Sequence, residues 1–246
     1  MSDTLIMAGR CLRLTRRNLD TLIVALVLPA LLMVLFVVLF GGAIHTGTRY
    51  VTYVAPGVLL LCAGYGASLT AVGVCQDMTG GFIDRLRAMD VAGACVLAGH
   101  VAASVVRNVA SAALALGVAI ALGFRPHAGP LEWLAAIGVL VAFITAMSAV
   151  ATALGLMART PEAASGYTFV IMFLPYASSA FVPVRTMPGW LRGFAGHQPI
   201  TPINRTLHAL LLGGHADALV ALAWCAGLVA VSLAAAGVLF SRRTAH

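Results

Sequence analysis

The chain has 246 residues, of which 61% are hydrophobic and 9% are charged, and its mean hydropathy is +0.99. A soluble domain carries roughly one-quarter charged residues, so this composition excludes an ordinary soluble protein and indicates an integral membrane protein. The net charge of +7 comes from arginines that lie mostly at the ends of apolar segments rather than in one stripe. That distribution disfavours nucleic-acid binding.

Residues 1–20 precede the first long apolar segment and predict an amphipathic helix in the membrane interface. Helical spacing puts leucines on one side and arginines on the opposite side, the pattern of a helix that lies in the interface plane. The leucines are Leu5, Leu12 and Leu19, and the arginines are Arg10, Arg13 and Arg17. The alternative is an ordinary basic flank that only sets the topology.

Six apolar segments are long enough to cross the membrane, because a helix needs about 20 residues to span the hydrocarbon layer. Backbone groups in lipid must bond to one another, so these spans are expected to be helices. Nine arginines, including those at both termini, fall on one side of such a bundle and five on the other, which predicts cytoplasmic termini. The predicted spans are about 22–43, 51–74, 94–124, 131–158, 166–184 and 218–240, in one membrane domain over 1–246.

The densest group of charges lies between the second and third spans, in "CQDMTGGFIDRLRAMDVAG". Gly80 and Gly81 can end the preceding helix, since glycine tolerates the backbone angles of a sharp turn. Apolar residues then recur at about helical spacing beside charged ones, so the segment predicts a short cytoplasmic helix with an apolar face and a charged rim. The alternative is a solvated loop whose arginines only set the topology.

Arg107 and Asn108 lie well inside the third span. A charge at that depth is costly unless it faces protein, water or lipid headgroups, so contact with substrate or headgroup is one hypothesis. The other is a structural arginine whose long side chain extends to the interface.

The last outer loop, from about Arg185 to Asp217, predicts a re-entrant or interfacial helical segment before the sixth span. Pro188 suits the first turn of a helix. Trp190, Leu191 and Phe194 could then form an apolar face at the interface.

Known catalytic patterns are missing from the sequence. A phosphate loop requires lysine, and the chain has none; the patterns H-E-x-x-H, G-x-S-x-G and C-x-x-C are also missing. These observations predict no enzyme activity, no metal and no cofactor, and they disfavour a lipid-modifying enzyme. An ion-coupled drug exporter remains the alternative function, although such carriers usually have a carboxylate or histidine deep in the bilayer and only His100 comes close.

Several motifs, in their order and spacing, resemble the permease subunits of type-2 ABC exporters, most closely the daunorubicin-resistance-like branch. The resemblance begins at "NLDTLIVALVLPALLMVLFVVLFGGAI", continues through "YVTYVAPGVLLL", and covers nearly the whole chain. It is sharpest in "QDMTGGFIDRLRAM", where an acid, a glycine and an acid-arginine-leucine group precede the third span. A proline commonly follows that group in the family, whereas this chain has Met89-Asp90. Further matches are Arg107-Asn108, "RTPEAASGYTF" and "FLPYASSAFVPVRTMPGWLRGFAGHQPITPINRTLHALLLGG".

The resemblance implies a subunit in a bacterial plasma membrane that exports an amphipathic drug, lipid or secondary metabolite. It implies two partners: a second permease, either a homodimer mate or a similar paralogue, and separate ATP-binding subunits that hold the ATP. It also implies that the cytoplasmic segment between the second and third spans is a coupling helix that contacts the ATP-binding subunit. The coupling residues are Asp77, Gly80, Gly81, Phe82, Asp84, Arg85, Leu86 and Arg87.

Overall fold

The computed structural model describes residues 2–17, 19–42, 49–83, 93–181, 187–214 and 216–244, and within these residues the regular elements are α-helices. The predicted all-helical class is therefore confirmed for the described part of the chain. The helices are α1 Ser2–Arg17, α2 Leu19–Phe40, α3 Tyr50–Thr79, α4 Gly93–Ala121, α5 Pro130–Met157, α6 Pro161–Met172, α7 Gly189–His197, α8 Ile200–Leu212 and α9 Ala218–Thr244.

Five of the described helices are long and apolar enough to cross a membrane. They are α2, α3, α4, α5 and α9, and they overlap the predicted spans one, two, three, four and six. Pro29 and Pro56 lie inside α2 and α3, and both helices continue past them. The prediction of six helical spans is not confirmed, because the fifth segment has a different structure.

In place of the predicted span 166–184, the described residues form the short helix α6 followed by turns over 173–181. Helix α6 begins where Thr160 caps it, its Oγ1 accepting from the backbone N of Ala163 at 3.2 Å. Its 12 residues rise about 18 Å, short of the roughly 30 Å hydrocarbon layer. Pro175 explains the break, since proline lacks a backbone N–H and disfavours a helical conformation in the residue before it. Residues 182–184 of the predicted span lie outside the described residues.

Polar side chains hydrogen-bond to the backbone of this non-helical segment. Gln198 Nε2 donates to the carbonyls of Leu174 at 3.2 Å and Ala177 at 2.6 Å. The Tyr53 hydroxyl donates to the carbonyl of Ser179 at 2.8 Å. Irregular backbone is tolerated at membrane depth only where protein or water satisfies it, so these side chains make the break in the helix possible.

Helix α3 forms the centre of the bundle. Its membrane window is 72% buried, compared with 22% for α2 and 17% for α9, so α3 is enclosed by protein while the other two lie at the periphery. It packs against α2, α4, α5, α6 and α8. Val54, Leu60 and Leu61 are fully buried in the core that results.

Two helices, α7 and α8, precede the last long helix where a helical segment was predicted. Pro188 caps α7. Trp190 and Phe194 on α7 are 79% and 53% exposed. The interfacial position of this helix stays a prediction. Helix α8 is instead buried, with Ile203 and Leu207 in the main core.

Candidate functional site

Three helices meet in a group of charged side chains at the end of α3, here called the Asp77 cluster (Arg10, Asp77 and His100). Arg10 on α1 donates from both terminal nitrogens to the Asp77 carboxylate, at 2.8 and 3.1 Å. His100 on α4 lies on the other side, with Nε2 at 2.9 Å from Asp77 Oδ2. Because a carboxylate only accepts, Nε2 is the donor in this bond. One acid on α3 therefore ties the N-terminal helix to α4.

Two further contacts surround the Asp77 cluster. The Arg10 guanidinium carbon lies 3.6 Å from the centroid of the Phe82 ring, a cation–π distance. Cys11 Sγ lies 3.8 Å from His100 Nδ1. The hydrogen bonds to Asp77 raise the pKa of Arg10 above its ordinary value, so the arginine stays charged.

Helix α1 can approach α4 closely because a glycine lies at the contact. A side chain at Gly99 would meet Met7 of α1. Leu5 and Leu14, elsewhere on α1, are 70% and 51% exposed. The helix thus packs on α4 by one face and leaves apolar side chains uncovered on another, as expected for a helix that rests at a membrane interface.

A cavity of about 240 Å³ lies between α1, α3 and α4. At one end it is lined by Arg10, Asp77 and His100, and at the other by Thr70 and Arg107. His100 and Arg107 are seven residues apart on α4, which corresponds to about 10 Å along the helix. The cavity therefore extends from the end of α3 into the membrane-spanning part of the bundle.

Arg107 points into the protein at the deep end of this cavity. Its Nη2 donates to the Gly66 carbonyl at 3.1 Å and to Thr70 Oγ1 at 2.9 Å, both uncharged acceptors. Its Nε is buried and has no hydrogen-bond partner among the described residues. The guanidinium therefore lies inside the bundle, where it faces the cavity.

Asn108 lies beside Arg107 in sequence but is not among the residues that line the cavity. It is 1% exposed and packs against Gly66, where any side chain would overlap it. Its Nδ2 donates to Ser104 Oγ at 3.2 Å, and that hydroxyl also bonds to Thr70 at 2.7 Å and Ser148 at 2.8 Å. These polar contacts join α3, α4 and α5.

The predicted coupling segment is described only at its beginning. Helix α3 ends at Thr79, and Gly81 adopts a φ of 68°, a left-handed conformation that favours glycine. The predicted helix end at Gly80 and Gly81 is thus present, and the next residue, Phe82, contacts Arg10. The predicted residues Asp84, Arg85, Leu86 and Arg87 lie outside the described residues.

A second, apolar cleft of about 640 Å³ lies between α4, α5 and α9. Small residues such as Ala102 and Ala149 leave space there, and Val105 and Leu233 give it apolar walls. Its volume falls within the range of small-molecule sites, about 300–1,000 Å³.

The sequence singles out Asp77 and Arg107 as candidate site residues but does not indicate that they share a cavity with Arg10 and His100. A usable signal lies in α4, where polar residues recur at helical spacing within an apolar run. They are His100, Ser104, Asn108 and Ser111, each buried in the structure. Such a stripe indicates a face turned toward other helices.

Within the described residues, no group of three or more His, Cys, Asp or Glu side chains could hold a metal ion. The Asp77 carboxylate is already engaged by Arg10 and His100. The chemistry that this site offers is charge pairing and anion contact.

Comparison with known proteins adds a family match and two similar proteins. The ABC-2 type transporter family matches residues 2–212. The daunorubicin resistance ABC transporter permease protein DrrB1 of Streptomyces coeruleorubidus is 31% identical over 229 residues, covering 92% of this chain and 81% of that protein. The probable doxorubicin resistance ABC transporter permease protein DrrC of Mycobacterium tuberculosis is 26% identical over 250 residues, covering 100% of this chain and 91% of that protein.

Proposed function

Because this chain belongs to the ABC-2 type transporter family, we propose that it is the membrane subunit of an exporter driven by a separate ATP-binding subunit. The observation that carries the proposal is the family match over residues 2–212, which runs from α1 to the end of α8. The sequence has no lysine and so no phosphate loop, which supports a nucleotide site on the partner.

The proposed cargo is an amphipathic drug, lipid or secondary metabolite moved out of a bacterial cell. Two similar proteins are named for daunorubicin and doxorubicin resistance, which supports a cargo of this class. The apolar cleft between α4, α5 and α9 is large enough for the apolar part of such a compound. The subunit would work in the plasma membrane beside a second permease, either an identical copy or a similar paralogue.

The proposed topology has both termini in the cytoplasm and six crossings of the membrane. The fifth crossing would combine α6 with the turns after it, whose backbone is satisfied by Gln198 and Tyr53. The excess of arginines at the termini supports this orientation. Helix α1 would then lie in the cytoplasmic interface and α7 in the outer one.

The proposed coupling site is the segment from Asp77 to Arg87, on the cytoplasmic side of this topology. The turn at Gly81 ends α3, and the contact of Phe82 with Arg10 links the start of the segment to α1. The salt bridge between Arg10 and Asp77 makes a second link to the same helix. A displacement of this segment would therefore be transmitted to α3 and α1, and through the bond between Asp77 and His100 to α4.

ATP binding and release would favour two arrangements of the permease in turn, one open inward and one open outward. A partner can shift such an equilibrium only by binding one arrangement more tightly than the other. The contact between the subunits must therefore change with the state of the transporter.

Charge reversal in the coupling segment tests this proposal. Asp84→Arg and Arg85→Glu are each expected to abolish ATP-driven export and to weaken co-purification with the ATP-binding subunit, while insertion into the membrane is kept. Arg125→Glu is the matched control, because Arg125 is exposed and lies on the opposite side of the predicted topology. Normal export and normal co-purification of both coupling variants would refute the proposed contact.

An ion-coupled exporter is the second candidate function, and the hydrogen bond between Asp77 and His100 is the observation that favours it. A carboxylate and an imidazole in contact can exchange a proton. Asp77, however, is bonded to Arg10, and His100 is bonded to Asp77 near the end of α3, so neither group is free in mid-membrane. Export that stops when the proton gradient collapses but ATP remains would support this function instead.

A further inference from the structure

We propose that the cavity between α1, α3 and α4 binds the phosphate group of an anionic phospholipid, held by Arg107 and Arg10. The proposal goes beyond the proposed transport function, because it assigns a lipid ligand to a cavity for which that function names no occupant. It rests on the charge balance of the cavity, the bonding of Arg107 and the position of α1.

The charge balance favours an anion. Among the described residues that line the cavity, Arg10 and Arg107 carry positive charge and Asp77 is the one acid. Asp77 is already paired with Arg10 through two hydrogen bonds. The positive charge of Arg107 therefore has no counter-ion in this lining.

The bonding of Arg107 leaves capacity for a ligand. Both of its hydrogen bonds use Nη2 and both acceptors are uncharged. Burying a guanidinium inside a membrane protein without an anion is costly, and its planar donors match a phosphate. A phosphate oxygen in the cavity would supply the missing negative charge.

The size and lining of the cavity suit a headgroup with part of its chain. Its volume of about 240 Å³ is several times the roughly 30 Å³ that one water molecule occupies in the liquid. Leu14, Leu69 and Val72 give it apolar walls, and Leu14 on α1 is also 51% exposed. A lipid could enter along α1 with its headgroup among the cations and its chain against the leucines.

The test uses the purified full chain in a non-ionic detergent, without an ATP-binding subunit, so that failure here leaves the transport proposal untouched. Dihexanoyl phosphatidylglycerol is titrated, and bound lipid is counted by native mass spectrometry. We expect one tightly bound lipid on the wild type and at least a tenfold loss of affinity in Arg107→Gln.

Arg13→Gln is the matched control, because it removes one positive charge, as Arg107→Gln does, but from α1 and outside the cavity. Arg13 is exposed, hydrogen-bonds to its own helix at Gly9, and is not among the residues that line the cavity. We expect the affinity of Arg13→Gln for the lipid to differ from that of the wild type by less than twofold. An equal loss of lipid affinity in Arg13→Gln and Arg107→Gln would overturn the proposal, since surface charge alone would then explain the binding.

Val72→Phe fills the cavity without removing a charge and is expected to reduce binding as Arg107→Gln does. It keeps the proposal testable if Arg107→Gln does not fold, with thermal unfolding as the check on each variant. Inorganic phosphate separates the two sources of a phosphate anion. If phosphate binds at the same residues and the phosphatidylglycerol does not, the lipid assignment is wrong; unchanged lipid binding in Val72→Phe would place the lipid elsewhere.

Discussion

Asp77 illustrates how much a single side chain contributes to this bundle. Its carboxylate bonds to Arg10 and His100, and these two residues come from different helices. A hydrogen bond to a charged group is worth more than a neutral one, and removing one partner leaves the others unsatisfied. The side chains of Arg10 and Asp77 are 28% and 14% exposed, so solvent weakens this pair only in part.

Asp77→Asn is predicted to lower the free energy of unfolding by about 1–3 kcal/mol, because Arg10 and His100 lose their anionic partner. The measurement is thermal unfolding of the purified chain in detergent. Glu162→Gln is the control, since Glu162 is exposed in the first turn of α6 and its loss is expected to cost at most about 1 kcal/mol. Equal unfolding temperatures for Asp77→Asn and wild type would contradict the structural role of the Asp77 cluster.

The site could be predicted from the sequence only in part. A charge within an apolar run is visible in any listing of residues, so Arg107 was identified, and the glycines at 80 and 81 signalled the end of α3. Arg10 could not be paired with Asp77, because the two are 67 positions apart and the intervening sequence does not indicate which face of α1 meets which helix. Long-range pairing of this kind depends on packing, and here a glycine at position 99 admits Met7 to the surface of α4.

Among the helices, the contact of α3 with α4 depends on the smallness of Gly66. Any side chain at this position would occupy the space of the Asn108 amide. Gly64, two residues earlier on the same helix, has only ordinary contact with Met172. The two glycines are thus a matched pair with different surroundings.

Gly66→Ala is predicted to destabilise the protein by about 1–3 kcal/mol, because the added methyl group displaces Asn108 from its contacts with Ser104. Gly64→Ala should be neutral or stabilising by up to about 1 kcal/mol, since alanine favours the helix. The measurement is the unfolding temperature of each variant, compared with that of the wild type in the same detergent. A Gly66→Ala variant as stable as Gly64→Ala would show that α3 and α4 do not meet as described.

The break after α6 gives a second prediction about an element. Gln198→Leu introduces an apolar side chain of similar size and leaves the carbonyls of Leu174 and Ala177 without their donor. The expected cost is about 1–3 kcal/mol for two partly buried acceptors. Gln76→Leu, at an exposed position, is the control and should unfold close to the wild type. If Gln198→Leu and Gln76→Leu unfold at the same temperature, the turns over 173–181 do not depend on the Gln198 side chain.

The fifth span shows why length and hydropathy predict some elements and not others. Segments of 18 or more residues with high mean hydropathy form the five long helices, because the membrane leaves an isolated apolar chain few alternatives to a helix. The segment around Pro175 is apolar too, but Gln198 and Tyr53 supply hydrogen bonds that let its backbone leave the helix. Those donors come from distant parts of the chain, and hydropathy within one segment does not detect them.

At the scale of the whole molecule, α3 is both the most enclosed long helix and the one that ends at the proposed coupling segment. A displacement at Gly81 would thus reach the centre of the bundle rather than its edge. That arrangement fits a subunit driven by a partner, since the start of the proposed coupling segment and the centre of the core belong to one helix.

Export through this chain is proposed to be driven by ATP that a partner hydrolyses. The sharpest measurement is uptake of daunorubicin, or of an amphipathic dye, into inverted membrane vesicles. We expect uptake to require both ATP and the ATP-binding subunit and to persist when the proton gradient is collapsed. Uptake driven by a proton gradient in vesicles that contain this chain without any ATP-binding subunit would instead identify an ion-coupled exporter.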